Sequence, residues 1–452
     1  MRRCLPILAV VLLLAQPAFA QQPLPVEAQD EAPAPANDPE AAESAATDVP
    51  LDEIKRYVAV YNAVREAYVE PVDDKALMGA AIRGLLLDLD PHSAYLDKDD
   101  AEAFDQDTSG AYSGIGVEVQ QLPDGKVKVI APIDDTPAAR AGVKAGDTII
   151  AVDGKPLTPA TAAGQGPLRG EPGSTVRLTI AREGEPGPLQ ISVTRDTIRI
   201  ASVHGRMLEP GYAYIRISAF QADTATDFEK VLKQLQAGAG DNPGSGQGQG
   251  LRGLVLDLRS NPGGLLTTAV QIADDLLDDG GIVSTRGRTP ISDAQFSATP
   301  GDLMHGAPVV VLVDAGSASA SEVLAGALHD NGRARVVGSR TFGKGSVQTL
   351  MPLDNGDSVK LTTARYYTPS GKSIQARGIE PDVVLKPEGE EGQATGPGYA
   401  EVLLPGHLHG DEEVAGSNAG DVLDGDAPIA AALAELKKPA ATAARAQTAP
   451  RD

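Results

Sequence analysis

The chain has 452 residues, enough for two or three domains with a sizeable core. Its formal net charge of −23, from 62 acidic and 39 basic side chains, argues against nucleic acid or an anionic membrane as the main partner. The single cysteine, Cys4, excludes a disulfide framework, so an apolar core must stabilise the fold.

The first 20 residues have the pattern of a secretory signal peptide. Arg2 and Arg3 precede an apolar run over residues 5–14, and residues 18–20 supply a small-x-small cleavage pattern before Gln21. The run is too short for a good membrane span, and no later segment approaches 18 consecutive apolar residues. We therefore expect an exported, periplasmic protein, soluble or peripherally membrane-associated, without a transmembrane helix after cleavage.

Two regions precede the first recognisable domain. Residues 21–49 are rich in Ala, Pro and acidic side chains and cannot bury enough apolar surface to fold, so they read as a disordered tether. Residues 50–108 contain an apolar pattern with helical spacing from Leu51 and a second helical pattern over residues 76–89. We expect these helices to form a packing or dimerisation element.

Residues 109–196 carry the first long motif. A glycine-containing turn leads into a strand, and the block over residues 136–154 closely resembles a PDZ domain. Such domains add an extended peptide to a sheet edge and hold its terminal carboxylate with turn amides. The resemblance implies a peptide site whose residues are Ser113, Gly114, Ile115, Gly116 and Val117.

Two details of this peptide site stay open. Ile115 and Val117 can line an apolar side-chain pocket, but as strand residues they can equally belong to the core. Arg169, in a loop of the same domain, is a candidate for sensing the ligand or for linking the PDZ domain to the α/β core that follows it.

Beyond residue 196 strands and helices alternate, which predicts a layered α/β core over residues 197–386. A Gly-rich insertion at residues 237–250 is expected to form a flexible surface loop. Residues 387–452 are polar and Ala/Gly-rich, and we expect a flexible tail with one short helix. The expected core strands and helices are, in chain order, 212–217, 224–235, 254–258, 265–277 and 308–314.

Ser319 lies where an apolar run, a small-residue turn and a helix-compatible segment meet. The first amides of a helix are unpaired and the helix dipole is positive there, which favours a developing oxyanion. A serine hydroxyl needs a base, and a lysine serves if desolvation lowers its pKa. Lys344, between Gly343 and Gly345, is the candidate base, and the Gln348 amide oxygen could hold its amine.

Other interpretations fit the same local spacing. Ser319 and Glu322 also form a helix capping box. Residues 338–344 have the spacing of a phosphate-binding loop, although Gly345 stands where that loop needs Ser or Thr. His329, on the helix after Ser319, is an alternative base.

Three sequence blocks favour the catalytic interpretation over these alternatives. They are SASASE at the serine, FGKGSVQ at the lysine and DLRSNPGG over residues 257–264. In this order they resemble the carboxyl-terminal processing (tail-specific) serine proteases, which carry a PDZ domain. The resemblance implies an α/β layered protease core (crotonase/Clp-protease-like) with a PDZ domain inserted after N-terminal helices. It makes Ser319 the nucleophile, Lys344 the general base and Gln348 the residue that orients the lysine.

The resemblance also implies supporting roles. The amide of Ala320 and that of Gly263 or Gly264 would form the oxyanion hole. Asp330 matches an acidic position that some descriptions of the family include in the charge relay, and it is a second-tier catalytic candidate. The expected function is an exported serine endopeptidase that processes or degrades proteins from their C-terminal tails, with no cofactor and no metal.

The implied partners are protein substrates bound through their C-termini, with an adaptor, an activator or a second copy of the chain as further candidates. The alternative is a noncatalytic PDZ adaptor on a protease-like scaffold. The intact set of Ser319, Lys344 and Gln348 favours the enzyme.

Overall fold

The computed structural model describes residues 50–133, 135–159, 167–239, 250–387, 400–411, 413 and 420–438. The predicted signal peptide, the tether and most of the Gly-rich insertion lie outside these residues. Within them, no helix combines the length and the apolarity that a bilayer crossing needs.

The N-terminal region contains three helices and one short strand: α1 (Leu51–Ala67), α2 (Asp74–Leu87), β1 (Ala94–Leu96) and α3 (Lys98–Ser109). The two helical patterns of the sequence are α1 and α2. The α1 helix buries none of its residues, and a hydrogen bond from the Tyr61 hydroxyl to Asp74 Oδ1 (2.8 Å) ties it to α2. Apolar side chains of α1 such as Leu51 and Val60 therefore remain exposed.

The PDZ domain follows. Its elements are β2 (Ala111–Gly114), β3 (Val117–Gln121), β4 (Val127–Pro132), α4 (Pro137–Arg140), β5 (Thr148–Val152), β6 (Lys155–Pro156), β7 (Thr175–Ala181), β8 (Leu189–Thr194) and β9 (Asp196–Arg199). The main sheet has the order β3-β4-β5-β7-β8, with β6 beside β5, so β3 is an edge strand. A separate pair, β2 with β9, closes the domain where the chain enters and leaves it.

The α/β core begins with β10 (Val203–Glu209), β11 (Tyr212–Ile217), α5 (Thr224–Gly238), β12 (Gly253–Asp257), α6 (Leu266–Leu276), β13 (Gly281–Gly287), β14 (Ala294–Ser297), β15 (Val309–Val313) and α7 (Ala320–Asp330). It continues with β16 (Ala334–Gly338), β17 (Ser346–Pro352), β18 (Ser358–Tyr367), β19 (Val383–Val384) and α8 (Ala427–Leu436). The predicted core strands and helices agree with β11, α5, β12, α6 and β15 to within a few residues.

The main sheet of the core has the order β10-β11-β12-β15-β16-β19 and is parallel from β11 onward. Every residue of β12 and β15 is buried, as expected of parallel strands covered on both faces. Alternate strand residues pack against α5, α6 and α7 on one face and against α8 on the other. The layered α/β architecture and the PDZ domain are thus confirmed.

A second sheet of the core, with the order β1-β18-β13-β14 and with β17 beside β18, carries the strand that follows Lys344. Its edge strand β1 comes from the N-terminal region, and Ala94 pairs with Lys360 in β18. Residues far apart in sequence thereby reach the same side of the core.

Among the described residues after 386, the expected short helix is present as α8, but this helix and residues 400–411 pack on the core, which the prediction of a flexible tail did not anticipate. Ile429, Ala432 and Leu436 of α8 are buried on the main sheet. Residues 400–411, which we call the strap, pack on the loop that contains Lys344, since the Glu401 amide donates to Phe342 O at 2.9 Å. The Ala- and Gly-rich composition concealed one apolar helix face, which is enough to hold this segment on the core.

Candidate active site

Ser319 lies at the turn between β15 and α7, where the sequence predicted a strand-turn-helix junction. Its backbone has φ 54° and ψ −115°, which residues with a side chain rarely adopt, so neighbouring contacts must hold the turn. The turn places Ser319 at the N-terminus of α7, where helix amides lack helical partners. The residue is only 7% exposed.

Glu322, in the first turn of α7, supplies those contacts. Its Oε2 accepts the amides of Ser319 (2.8 Å) and Lys344 (2.9 Å). Its Oε1 accepts Thr341 Oγ1 (2.5 Å) and the Gly343 amide (2.7 Å). The carboxylate is fully buried; burial raises the pKa of Glu322 to about 7, and the four donors act in the opposite direction. One side chain therefore joins the serine turn to the lysine loop.

The capping box predicted from the sequence is present, since the Ser319 side chain and the Glu322 carboxylate cap α7 reciprocally. The box and the catalytic interpretation are compatible, because the same carboxylate also holds the loop with Lys344. The capping residue Glu322 is a site residue whose wider role the sequence analysis missed.

The glycines beside Lys344 allow the close backbone approach that the sequence suggested. A Cβ on Gly345 would lie 2.2 Å from the backbone nitrogen of Gln375, and Gly343 has φ 94°. The Gly345 amide also donates to Gln375 Oε1 at 3.0 Å. The lysine loop is thus fixed by packing as well as by Glu322.

Burial lowers the pKa of the Lys344 amine, and the positive charge of Lys360 lowers it further. The carboxylates of Glu401, Glu322 and Asp90 oppose this shift. A lowered pKa increases the fraction of neutral amine at a given pH, and only the neutral amine can accept a proton. The electrostatic environment therefore suits a lysine base.

Tyr366, on β18, has its phenol close to the side chain of Ser319. Burial raises the pKa of Tyr366 to about 12, so its phenol stays protonated at ordinary pH. Its amide donates to Gly345 O at 2.8 Å. Tyr366 thus lies beside both Ser319 and the lysine loop, a position that no pattern in its strand indicates.

The glycine-rich segment after β12 packs against the serine turn. A Cβ on Gly263 would lie 2.9 Å from Ser319 Cβ and 3.0 Å from the Ala320 amide nitrogen, so a side chain does not fit there. The Gly263 amide itself donates to Asn261 Oδ1 at 2.9 Å. It is therefore engaged within its own turn.

Gly264 forms a parallel bridge with Phe220. The two bonds of the bridge use Gly263 O (2.9 Å) and the Leu265 amide (2.8 Å), so the Gly264 N–H points away from Phe220. Its φ of 136° is one that glycine adopts readily. Of the two candidate glycines, Gly263 has its amide bonded within its own turn, whereas the Gly264 amide is not used in the bridge.

Comparison with known proteins gives consistent results along the chain. The family described as Peptidase family S41 matches residues 211–385, a PDZ domain matches residues 113–193, and the "Activating protease CtpB N-terminal domain" matches residues 15–100. A carboxy-terminal-processing protease of Bartonella bacilliformis is 43% identical over 367 residues, which cover 80% of this chain and 82% of that protein. This chain belongs to the carboxy-terminal processing proteases of peptidase family S41.

Other relatives agree. The carboxy-terminal processing protease CtpA of Bacillus subtilis is 34% identical over 330 residues, covering 72% of this chain and 67% of that protein. Among solved structures, the photosystem II D1 C-terminal processing protease is 32% identical, covers 75% of this chain and 93% of that chain, and has a TM-score of 0.42. The protein is a serine-type peptidase, and the relatives favour this reading over a noncatalytic adaptor.

Gln348 of this protease lies on β17 beside the lysine loop. Its Nε2 donates to Ser346 Oγ (3.0 Å) and Thr362 Oγ1 (3.2 Å). Thr362 in turn donates to Asp90 Oδ1 at 3.1 Å. Gln348 therefore belongs to a polar network around the lysine.

The lysine surroundings include residues that the sequence analysis did not select. Asp90 is buried and accepts the amides of His92 (2.8 Å) and Ser93 (2.9 Å). Glu401 of the strap is fully buried; its carboxylate oxygens lie 2.8 and 3.0 Å from His92 Nε2, and it accepts Gln375 Nε2 at 3.0 Å. These residues are distant in sequence, and no local motif marks them.

Asp330 and His329 do not join the nucleophile. They lie in the last turn of α7, roughly 15 Å along the helix from Ser319 at 1.5 Å per residue. Asp330 Oδ2 accepts the Ser370 amide at 3.0 Å, and the His329 ring faces Asp330 and Asp382. Their contacts hold the turn after β18.

Some of the predicted peptide-site residues of the PDZ domain lie in other elements than the sequence suggested. Ser113 and Gly114 lie in β2 and pair with β9, so the turn begins after Gly114, later than predicted. Ile115 is 1% exposed within the PDZ core, and Val117 packs against the same core at the start of β3. Ile115 therefore lies in the core of the domain, in the turn between β2 and β3.

Gly116 makes the turn into β3 with φ 78°, and a Cβ there would lie 2.3 Å from Thr136 Cβ. Arg169 stacks over the Tyr112 ring at 4.5 Å and donates to Gln106 Oε1 in α3. These contacts join Arg169 to the N-terminal helical region and to β2, and neither of them reaches the protease core.

Proposed function

We propose that Ser319 and Lys344 form the nucleophile–base pair of an endopeptidase that processes proteins from their C-terminal tails. The observation that carries this proposal is the buried Glu322 carboxylate, which binds the Ser319 and Lys344 amides at 2.8 and 2.9 Å. A single rigid group that fixes both backbones supports a shared chemical task.

In the proposed reaction the Ser319 hydroxyl attacks the scissile carbonyl while neutral Lys344 takes its proton. The negative charge that develops on the carbonyl oxygen is stabilised by the amides of Ala320 and Gly264. The protonated lysine then gives its proton to the leaving amine, and a water molecule hydrolyses the acyl-enzyme.

The Gln348 amide nitrogen is anchored on Ser346 and Thr362, which directs its oxygen to the opposite side. We infer that this oxygen accepts a hydrogen bond from the Lys344 amine and orients the amine. Tyr366 helps to set the Ser319 hydroxyl rotamer, and neither Asp330 nor His329 has a part in the chemistry.

Tail recognition rests on the PDZ domain. The edge strand β3 is open to an added peptide strand, and the turn at Gly116 lies at its start, where turn amides can hold a terminal carboxylate. The relatives carry the name carboxy-terminal processing protease, which agrees with a tail-first substrate.

Three further features belong to the proposal. The parallel main sheet with helices on both faces supports a crotonase/Clp-protease-like core. The leader-like first 20 residues support export to the periplasm. The exposed apolar face of α1 supports a homo-oligomer or an activating partner that contacts the N-terminal helices.

The proposal is tested with an unfolded protein that has an apolar C-terminus. Wild type should cleave it, Ser319→Ala should not, and blocking the substrate's terminal carboxylate should slow wild-type cleavage. Cleavage by Ser319→Ala would contradict the assignment of Ser319 as the nucleophile. An unchanged rate on the blocked substrate would contradict recognition of the C-terminal carboxylate by the PDZ domain. Asp330→Asn should retain the wild-type rate on the open tail.

A further inference from the structure

A cluster of two histidines and one glutamate lies at the end of the strap. His407 Nε2 is 3.3 Å from Glu413 Oε1, and His409 Nδ1 is 2.8 Å from Glu413 Oε2. One ligand atom from each residue falls within a span of 4.8 Å, which is the size of a first coordination sphere. The proposed peptidase chemistry uses none of the three.

The second ring nitrogen of His407 gives an independent indication. Its Nδ1 lies 3.0 Å from Leu404 O, and a carbonyl can only accept, so this nitrogen carries the proton. In the neutral ring, Nε2 then presents a lone pair to the Glu413 carboxylate. Two acceptors at 3.3 Å repel each other unless a proton or a metal cation lies between them. A backbone carbonyl on Nδ1 with Nε2 directed at the ligand is how metal-binding histidines are commonly held.

The exposed fractions of the three side chains are also compatible with a bound metal ion. The side chains of His407 and Glu413 are 14% and 20% exposed, so they are partly fixed by packing, whereas His409 is 84% exposed. The two rings meet edge to face at 5.3 Å. This leaves one side open for water as a fourth ligand.

We propose that His407, His409 and Glu413 bind a divalent ion of the zinc class at a noncatalytic site. Two imidazoles and one carboxylate match the donor preference of zinc, whereas magnesium and calcium require oxygen ligands almost throughout. The site is independent of the proposed serine chemistry and is formed by residues of the strap and its immediate continuation.

The site also reaches the lysine loop. Leu408, between the two histidines, accepts Gln375 Nε2 at 2.9 Å, and Gln375 Oε1 accepts the Gly345 amide at 3.0 Å. A Cβ on Gly410 would lie 2.1 Å from Gln375 O, so the strap is packed directly on that residue. An ion on His407, His409 and Glu413 would therefore restrain the strap and, through Gln375, the loop that carries Lys344.

Zinc titration by calorimetry tests the site. The protein is the full chain with Ser319→Ala, to prevent self-cleavage, and Cys4→Ser, to remove the thiol, with any histidine tag cut off. We expect one zinc per chain, with the affinity reduced on the order of 100-fold or more by His407→Ala or His409→Ala. His204→Ala, on β10, is the matched control and should bind as the parent does, and magnesium should give no heat.

Two results would overturn the proposal. If no zinc binds, or if His409→Ala binds as tightly as the parent, the cluster is a plain histidine–glutamate ion pair. His409 is so exposed that its loss should not disturb folding, so this variant remains decisive if His407→Ala unfolds. Hydrogen exchange over residues 342–348 should slow with zinc in the parent and not in His409→Ala; an unchanged rate in the parent would exclude the restraint of the loop.

Discussion

The two halves of the active site are built differently. The serine half, comprising Ser319, Glu322 and the glycine turn after β12, comes entirely from the α/β core, and Ser319 and Glu322 are buried there. The lysine half places Lys344 among Asp90 and His92 of the N-terminal region and Glu401 of the strap. The proposed nucleophile is thus positioned by the core alone, whereas the basicity of Lys344 depends on segments that must dock onto the core.

Loss of the base should have the largest effect. We expect Lys344→Ala to lower kcat by about 10⁶-fold, to the level that the rest of the site supports, because a serine hydroxyl without a base is a poor nucleophile. His329→Ala should retain near wild-type turnover of the same unfolded substrate, since its ring lies at the far end of α7. The reverse pattern in these two rates would show that the base has been misassigned.

Glu322→Gln separates the two halves without changing the shape of the side chain. Each carboxylate oxygen of Glu322 accepts two hydrogen bonds, whereas the glutamine side chain has one accepting oxygen and one NH₂ group that donates. Whichever way the amide is turned, its NH₂ group therefore meets two donors that it cannot satisfy. Each buried donor left unpaired costs about 1–3 kcal/mol, so kcat/KM should fall at least ~100-fold and the Tm should drop. Glu435→Gln, at another buried glutamate, is the control. It should leave kcat/KM of the folded protein unchanged, and an equal loss in both variants would mean that Glu322 acts through stability alone.

Much of the serine half was predictable because its signals are local. An apolar run ending in a small-residue turn predicted Ser319, and the glycines around Lys344 predicted a close backbone approach, which Gln375 makes. The surroundings of Lys344 were not predictable, although Lys344 and Gln348 themselves were selected, since Asp90 and Glu401 are brought together by pairing between β1 and β18 and by packing of the strap. A composition rich in Ala and Gly suggested a flexible tail and concealed the buried face of α8.

His92→Ala tests whether the lysine half depends on docking of the N-terminal region. The substitution leaves the buried Glu401 carboxylate without its histidine partner, which should cost about 1–3 kcal/mol and lower kcat/KM roughly tenfold. His92→Gln retains a donor and should recover part of the rate. His204→Ala, at an exposed position on β10, should have no effect; if His92→Ala also has none, the contact with the strap is not needed for catalysis.

The smallest expected effects come from two charge-removing substitutions that should shift the pKa of Lys344 in opposite directions. Burial lowers the pKa of Lys344, Lys360 lowers it further and Glu401 raises it, and the active form is the neutral amine, so kcat/KM should rise with pH through the Lys344 pKa. Lys360→Gln should let that pKa rise and move the ascending limb of the profile to higher pH, whereas Glu401→Gln should lower the pKa and move this limb to lower pH. Both shifts are read from pH profiles of kcat/KM, with Lys230→Gln on the exposed face of α5 as the control. Shifts of the same sign, or none, would show that the charges of the lysine half do not set the basicity of Lys344.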